Sequence, residues 1–250
     1  MSVPMIQDAT DVVIPVYNQY CCTRNLIESI YRHTDVPFHI YVIDNASTDE
    51  TVDLDKVFTR EITVVHNRRN RGWCGGANQG VALGRNPNVV LMNNDVEVSR
   101  DWLGNLVWFL NTHPLIGAVG PLNSNPNDWQ CVDRVRRSMV PQIPNFLTED
   151  LHERNRILRH HFSRAGILVA GMLAFFCVAM RRRTMERVGS LDESYVAGGD
   201  DDDYCRRLRK EGYVLGLSLD TYVVHHSSLT AKAIFDSTDG PVGRNRALAR

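Results

Sequence analysis

Asp11-Val12-Val13-Ile14-Pro15-Val16-Tyr17-Asn18 is an apolar run that stops abruptly at a polar turn, and Asp11 to Val16 reads as a buried strand. Working outward from it, Cys22 to His33 reads as a helix and Phe38 to Ile43 as a strand. Ser47-Thr48-Asp49-Glu50 has the form of a capping box that opens another helix. The alternation then repeats. Ile62 to His66 is strand-like, Ala77 to Leu83 helical, Val89 to Met92 a short apolar strand, Trp102 to Asn111 helical and Ile116 to Val119 strand-like. Strands alternating with helices at this spacing predict an α/β fold with a mostly parallel, Rossmann-like sheet and helices on both faces. Ligands of such a sheet gather at the carboxyl ends of its strands.

Those ends carry the unusual residues. Pro15-Val16-Tyr17-Asn18 follows the first strand, Asp44-Asn45 the second and Asn93-Asn94-Asp95 the fourth, which places the expected site there. From Pro121 to Arg164 the character changes, with Pro121, Pro126, Pro141 and Pro144 among scattered arginines. This stretch reads as loops plus one charged helix near Glu149 to His161, a substrate-facing insert or an interface. Arg134, Arg136, Arg137, His160, His161 and Arg164 can bind a phosphate of an anionic acceptor. A solvated charged face is the competing reading, because Glu149, Asp150 and Glu153 sit among them. Ser237 to Arg250 is a polar tail.

The 250 residues suffice for one large domain or a domain with a small lobe, and 43% hydrophobic with 23% charged residues is an ordinary globular balance. A net charge of -1 gives no global pull toward nucleic acid, so an anionic ligand has to be met by local groups. Lys56, Lys210 and Lys232 are the only lysines; the rest of the positive charge is arginine, which suits bidentate phosphate contacts. Cys21, Cys22, Cys74, Cys131, Cys177 and Cys205 form no CxxC pair, which fits reduced thiols in a cytosolic compartment and no structural metal. Met1 to Thr10 lacks the features of a secretory signal. Ala165 to Met180 is apolar but shorter than the roughly 20 residues that span a bilayer, and Gly166 and Gly171 interrupt it; a buried strand and turn is expected.

The densest cluster of chemistry is Leu191-Asp192-Glu193-Ser194-Tyr195-Val196-Ala197-Gly198-Gly199-Asp200-Asp201-Asp202-Asp203-Tyr204-Cys205-Arg206-Arg207. One aspartate at the mouth of a helix is a cap. Four exceed what capping needs, and neighbouring carboxylates repel, so one of them is easier to protonate and suited to general-base work. Asn67-Arg68-Arg69-Asn70-Arg71-Gly72-Trp73-Cys74-Gly75-Gly76-Ala77-Asn78-Gln79-Gly80 is a glycine-rich loop entering a helix. It spells neither GxGxxG nor a P-loop, so it is either an anion cradle or a tight turn with a solvated arginine face. Asn93-Asn94-Asp95 is either a turn or an oxygen-rich metal site at the end of a buried strand. His225, after the apolar run Tyr222 to Val224, is either a core histidine or a ligand.

In order along the chain, Val13 to Asn18, Val42-Ile43-Asp44-Asn45-Ala46-Ser47-Thr48-Asp49, Asn70 to Gly80, Leu91 to Asp95, and Gly189 to Glu193 through the Asp200 cluster to His225 resemble glycosyltransferase family 2. The resemblance covers about residues 11 to 230. It implies a GT-A fold with an acceptor-side insert in a single domain: a nucleotide-sugar-binding half over 11–120, an acceptor-binding and catalytic half over 121–235, and a tail over 236–250. It further implies inverting transfer of a sugar from a nucleotide diphosphate, UDP or dTDP favoured, to a glycan or lipid-linked acceptor. The setting would be polysaccharide or glycoconjugate biosynthesis, in the cytoplasm or at the inner face of the membrane with a peripheral membrane contact, and without nucleic acid as a partner. Rhamnosyltransferases are among the similar members.

By that similarity Asp44 faces the nucleotide base, while Pro15, Val16, Tyr17, Asn18, Asn70, Gly75, Gly76 and Asn78 line the donor pocket. Asn93, Asn94 and Asp95 occupy the place of the DxD motif. Asp95 and His225 would hold a divalent metal, Mn2+ or Mg2+, on the diphosphate. Asp200 and Asp201 match the family's Glu-Asp pair, with Asp201 the expected base, and Asp203 and Arg207 continue the motif. The sequence departs from the pattern at Asn93, which is uncharged where DxD begins, and at Asp200, one methylene shorter than the usual glutamate. Two other readings remain: a noncatalytic carbohydrate-binding or scaffold protein on the same fold, and a sugar-nucleotide pyrophosphorylase. The latter wants a glycine- and arginine-rich loop where this chain has Pro15-Val16-Tyr17-Asn18.

Overall fold

A computed structural model of the chain describes residues 8–195 and 198–226. The expected tail over 236–250 lies outside these residues, as do Val196 and Ala197 of the aspartate-rich segment.

The strands are β1 (Thr10–Val16), β2 (Phe38–Asp44), β3 (Ile62–His66), β4 (Asn88–Met92), β5 (Val96–Val98), β6 (Ile116–Asn123), β7 (Gly166–Val169), β8 (Cys177–Arg181) and β9 (Val214–His225). The helices are α1 (Tyr20–His33), α2 (Leu54–Val57), α3 (Gly72–Leu83), α4 (Trp102–Thr112), α5 (Val132–Ser138), α6 (Leu151–Phe162), α7 (Arg182–Val188) and α8 (Asp200–Lys210). All nine described strands join one sheet in the order β3-β2-β1-β4-β8-β6-β9-β5, with β7 against β9. β1 to β4 are mutually parallel, as the alternation predicts. β8 runs antiparallel to both β4 and β6, β9 runs parallel to β6, and β5 and β7 run antiparallel to β9. Six strands therefore share one direction, and the three reversed ones all lie in the second half of the sheet. The α/β class is as expected; Ala165 to Met180 proves to be two strands, β7 and β8, rather than one strand and a turn.

Every residue of β1 is buried, consistent with a strand covered on both faces. Helix α3 packs on it unusually closely. A Cβ on Gly80 would lie 2.3 Å from Val13 Cγ1, and one on Gly76 would lie 2.9 Å from Pro15 Cβ. The helix carries glycine where the backbone must touch the strand, which seats the glycine-rich loop against the end of β1. At the opposite end of β1, the fully buried Asp11 carboxylate accepts from Arg182 at 2.6 Å and from the Asn86 side chain at 2.7 Å. The buried Arg181 guanidinium donates to the carbonyls of Leu110, Pro114 and Ile116, which joins α4, β6 and β8. No described helix is long and apolar enough to cross a membrane.

Candidate active site

Register brings Val16, Asp44 and His66 side by side at the carboxyl ends of β1, β2 and β3. Beyond Val16 the chain turns through Asn18 and Gln19, both left-handed (φ 56° and 66°). The turn is held across the rim: the Asn18 N–H donates to Ser47 Oγ at 2.7 Å, and Asn18 Oδ1 accepts from the Thr48 N–H at 2.8 Å. Ser47 is thus not the helix cap expected of a capping box. Asp49 takes that place, accepting from the Thr51 N–H at 3.1 Å and, through its other oxygen, from the first amide of α1 at Tyr20, 3.0 Å. Burial opposes ionisation of Asp49, but hydrogen bonds from Thr51 and Tyr20 outweigh it and hold its carboxyl below the ordinary range. The element that follows is a 3-10 turn, Glu50–Asp53, before the four-residue α2.

Asp44 is 1% exposed, and both of its oxygens are engaged. Oδ1 accepts from the Ser47 N–H at 2.8 Å, and Oδ2 pairs with His66 Nδ1 at 2.8 Å. Next to it Asn45 ties down the glycine-rich loop, donating to the Gly72 carbonyl and accepting from Asn67, each at 3.0 Å. Asn70 Oδ1 accepts from the Gly72 N–H at 2.8 Å, where Gly72 is left-handed (φ 73°). Helix α3 starts there, five residues earlier than the pattern suggested. Gly75 and Gly76 are buried, and Gly76 is packed between Pro15 and Asn45. Arg68 and Arg69 are exposed.

The far side of α3 reaches the segment that leads to the aspartate cluster. Asn78 Oδ1 accepts from the Leu191 N–H at 3.0 Å while its Nδ2 donates to the Leu191 carbonyl at 2.9 Å and to Glu193 at 3.1 Å. Gly198 and Gly199 take φ values of 85° and 90°, which side-chain-bearing residues rarely adopt, and so turn the chain into α8. Asp200 and Asp201 stand in the first turn of that helix. Burial raises the Asp200 carboxyl, and it lies against the buried thiol of Cys74 on α3. Burial, then the charge of Asp200, pushes Asp201 up to about 6. The positive end of α8 favours the anion, but desolvation prevails. The Asp202 N–H donates to Asp201 Oδ1 at 2.8 Å. Asp203 is engaged by Arg207 at 2.8 Å and belongs to the scaffold of the helix.

At the end of β4, the Asn93 N–H donates to the Phe176 carbonyl at 2.9 Å and Asn94 Nδ2 donates to Thr23 Oγ1 at 3.0 Å. The Asp95 carbonyl accepts from the His226 N–H at 3.0 Å, and β5 pairs Val96 with His225. These contacts bring Asp95, 4% exposed, to 3.5 Å from Nε2 of His225. Asp95 Oδ1 and His225 Nδ1 are buried without a hydrogen-bond partner, and the imidazole is stacked on Phe176 at 4.8 Å. Adjacent ligands of an octahedral ion with bonds of about 2.1 Å lie roughly 3 Å apart, so this pair fits a shared divalent cation. Among the described residues no group of three His, Cys, Asp or Glu side chains gathers for a metal.

His66 and Ser47 were not singled out from the sequence as site residues. The expected arginine cluster is divided: Arg134 lies on the Trp129 ring at 4.0 Å, whereas Arg164 lies over Trp108 at 5.0 Å on α4. A cavity of about 810 Å3 sits at the opposite end of α1, between Arg32, His33, Arg100 and the start of α6, some 20 Å from the rim by helix length. Its four arginines are matched by four carboxylates, with Arg159 bound to Asp101 and Arg156 to Glu153, each at 2.6 Å.

Residues 11–189 match the model of the family described as "Glycosyl transferase family 2". The chain belongs to that family. Among curated family members, an N-acetylglucosaminyl-diphospho-decaprenol L-rhamnosyltransferase of Mycobacterium tuberculosis is 24% identical over 242 residues, covering 88% of this chain and 77% of the relative. A PGL/p-HBAD biosynthesis glycosyltransferase of Mycobacterium bovis is 26% identical over 117 residues, 45% of this chain and 44% of the relative. Among solved structures, the mannosyltransferase PcManGT from Pyrobaculum calidifontis, in complex with GDP-Man and Mn2+, superposes with a TM-score of 0.66 at 23% identity. The match covers 92% of this chain and 61% of that one. S. aureus TarS in complex with UDP-GlcNAc gives 0.60 at 13% identity, covering 88% and 59%. The fold of this family 2 member is therefore the GT-A fold of these glycosyltransferases.

Proposed function

We propose that this family 2 protein is an inverting glycosyltransferase that moves a sugar from a nucleotide diphosphate, UDP or dTDP favoured, to a hydroxyl of a glycan or lipid-linked acceptor. The observation that carries the reading is the buried Asp95 Oδ1, without a hydrogen-bond partner, held 3.5 Å from His225 Nε2 at the end of a core strand. A divalent ion, Mn2+ or Mg2+, held by that pair would supply positive charge to the departing diphosphate.

The remaining chemistry belongs to the chain. Pro15 to Asn18, Asp44, Asn70, Gly75, Gly76 and Asn93 to Asp95 form the donor side, and Asn78 positions the segment leading to the aspartates. Asp201 removes the proton from the acceptor hydroxyl, and that oxygen forms its bond to the anomeric carbon from the face opposite the nucleotide. The bond from that carbon to the diphosphate oxygen breaks, and the nucleotide diphosphate leaves with inversion. A carboxyl raised to about 6 is matched to this task near neutral pH. Asp200, held against Cys74, is the supporting member of the pair.

On the acceptor side, Trp129, Met139 and Leu147 are 51%, 47% and 98% exposed, and Arg134 lies over the Trp129 ring. An apolar and basic surface of this kind supports a peripheral contact with a membrane that carries a lipid-linked acceptor. The relative named for N-acetylglucosaminyl-diphospho-decaprenol supports the same acceptor class and a role in polysaccharide or glycolipid biosynthesis. A thermal-shift screen with UDP-, dTDP- and GDP-sugars, with and without Mn2+, followed by donor hydrolysis, tests the proposal. A metal-dependent upward shift and slow hydrolysis are expected. Donor binding without hydrolysis or transfer would favour a noncatalytic carbohydrate-binding role instead.

A further inference from the structure

The Asp44–His66 pair is where the structure adds most to the proposed donor site. We infer that His66 reads the nucleobase and that Asp44 acts through it as a positioning residue. The inference rests on the proposed nucleotide-diphosphate donor and says which bases that donor carries.

Three observations lead there. First, His66 is the cross-strand neighbour of Asp44, which is itself the neighbour of Val16, so the imidazole stands on the same rim. Asp95 follows β4, and β4 is separated from β3 by three strand spacings, about 14 Å, a span that a nucleoside diphosphate bridges with its phosphates at the Asp95 end. Second, the Asp44 side chain is 2% exposed while that of His66 is 41% exposed, so an incoming base meets the imidazole first. Both Asp44 oxygens already accept a hydrogen bond, from Ser47 and from His66. Third, the pair fixes the tautomer. A carboxylate only accepts, so the 2.8 Å bond places the hydrogen on His66 Nδ1, and in the neutral ring Nε2 is then an acceptor. Nε2 has no protein partner among the described residues.

An acceptor at that position complements a ring N–H. Uracil and thymine present one at N3 and guanine at N1, whereas cytosine N3 and adenine N1 are themselves acceptors. A site that leaves two acceptors facing each other discriminates strongly, because both lose their water without gaining a partner. His66 therefore selects donors whose base carries a ring N–H.

Calorimetric titration of the full chain with UDP, dTDP, GDP, CDP and ADP in the presence of Mn2+ tests this. The native protein should bind UDP, dTDP or GDP at least tenfold tighter than CDP and ADP. His66→Phe keeps a ring but removes the acceptor, and should bring UDP and CDP to within about threefold of each other. Asp44→Asn lets an amide N–H donate to Nδ1, which moves the hydrogen to Nε2 and should turn the preference toward CDP. Imidazole 15N shifts of the unsubstituted protein provide a readout independent of the variants: the Nδ1–H tautomer is expected, and an Nε2–H tautomer overturns the inference. Unchanged discrimination in a folded His66→Phe protein also overturns it, while leaving the glycosyltransferase reading intact if UDP still binds. Failure of every nucleoside diphosphate to bind removes both.

Discussion

Asn78 grips the backbone of Leu191 from both sides, accepting its N–H at 3.0 Å and donating to its carbonyl at 2.9 Å. A side chain of the glycine-rich helix thus fixes the segment that leads to Asp200 and Asp201, 113 residues later in the chain. Asn78→Ala should lower stability by about 1–3 kcal/mol, read by denaturant unfolding, because both backbone groups of Leu191 lose their partner. It should reduce kcat more than donor affinity. An unchanged unfolding midpoint would show that the clamp contributes nothing.

Asp201→Asn keeps the shape of the side chain and the acceptor for the Asp202 N–H but cannot take a proton. Transfer should fall by at least 100-fold while titration still detects the donor. Asp200→Asn should be milder. The reverse order of damage would move the base to Asp200, and no loss in either variant would remove the mechanism.

The same carboxyl sets the pH response. It is pushed up to about 6 by burial and by Asp200, and it must be ionised to act, so the transfer rate should fall as pH is lowered through about 6 and level off above it. The folded value exceeds the ordinary 3.8 of an unfolded chain, so its contribution to stability is complete below that value and is lost as pH rises through about 6. Asp201→Asn, which never ionises, should therefore raise the unfolding free energy at pH 8 by on the order of 1–3 kcal/mol and change it little at pH 4. Equal stability of the two proteins at pH 8 would contradict the raised carboxyl.

Chelation should abolish activity and Mn2+ or Mg2+ should restore it, even though Asn93 stands where the motif usually begins with a charge. Asp95→Asn should weaken the response to metal by at least tenfold, measured as the concentration giving half-maximal rate. Full activity in excess EDTA would transfer the burden to arginines such as Arg68, Arg69 or Arg71.

Arg136 and Arg137 test the acceptor side. Arg137 is exposed, and Arg136 pairs with Asp133 at 3.4 Å. Replacing both by glutamate should raise KM for an anionic or lipid-linked acceptor several-fold and leave donor hydrolysis unchanged. Unaltered acceptor kinetics would reduce this stretch to a surface loop.

The first half of the fold was legible because β1 to β4 are apolar runs punctuated by turn residues, and the helices between them keep one apolar face. The second half was not. β8 enters between β4 and β6 through pairings 60 or more residues apart in the chain, which no local period records. β5 is three residues long, and α5 offers only Val132 and Val135 to the core among its seven residues. At the site, Asp95 and His225 stood out because polar groups closing apolar runs are costly unless paired. His66 carried no such mark: it ends a strand of partly buried residues, and its meaning lies in a neighbour 22 positions away. Ser47 fitted a capping box in sequence, but the turn at Asn18 claims its hydroxyl first.

The twelve-residue β9 lies between β6 and β5 and ends at His225. Among the described residues β5 and β7 pair with no other strand, so each depends on this late segment to join the sheet. The strands of the Val16–Asp44–His66 rim lie within residues 10–66, whereas His225, the partner of Asp95, comes some 160 residues later. On the proposed reading, the strands of the nucleotide rim are synthesised well before the histidine that would hold the metal together with Asp95.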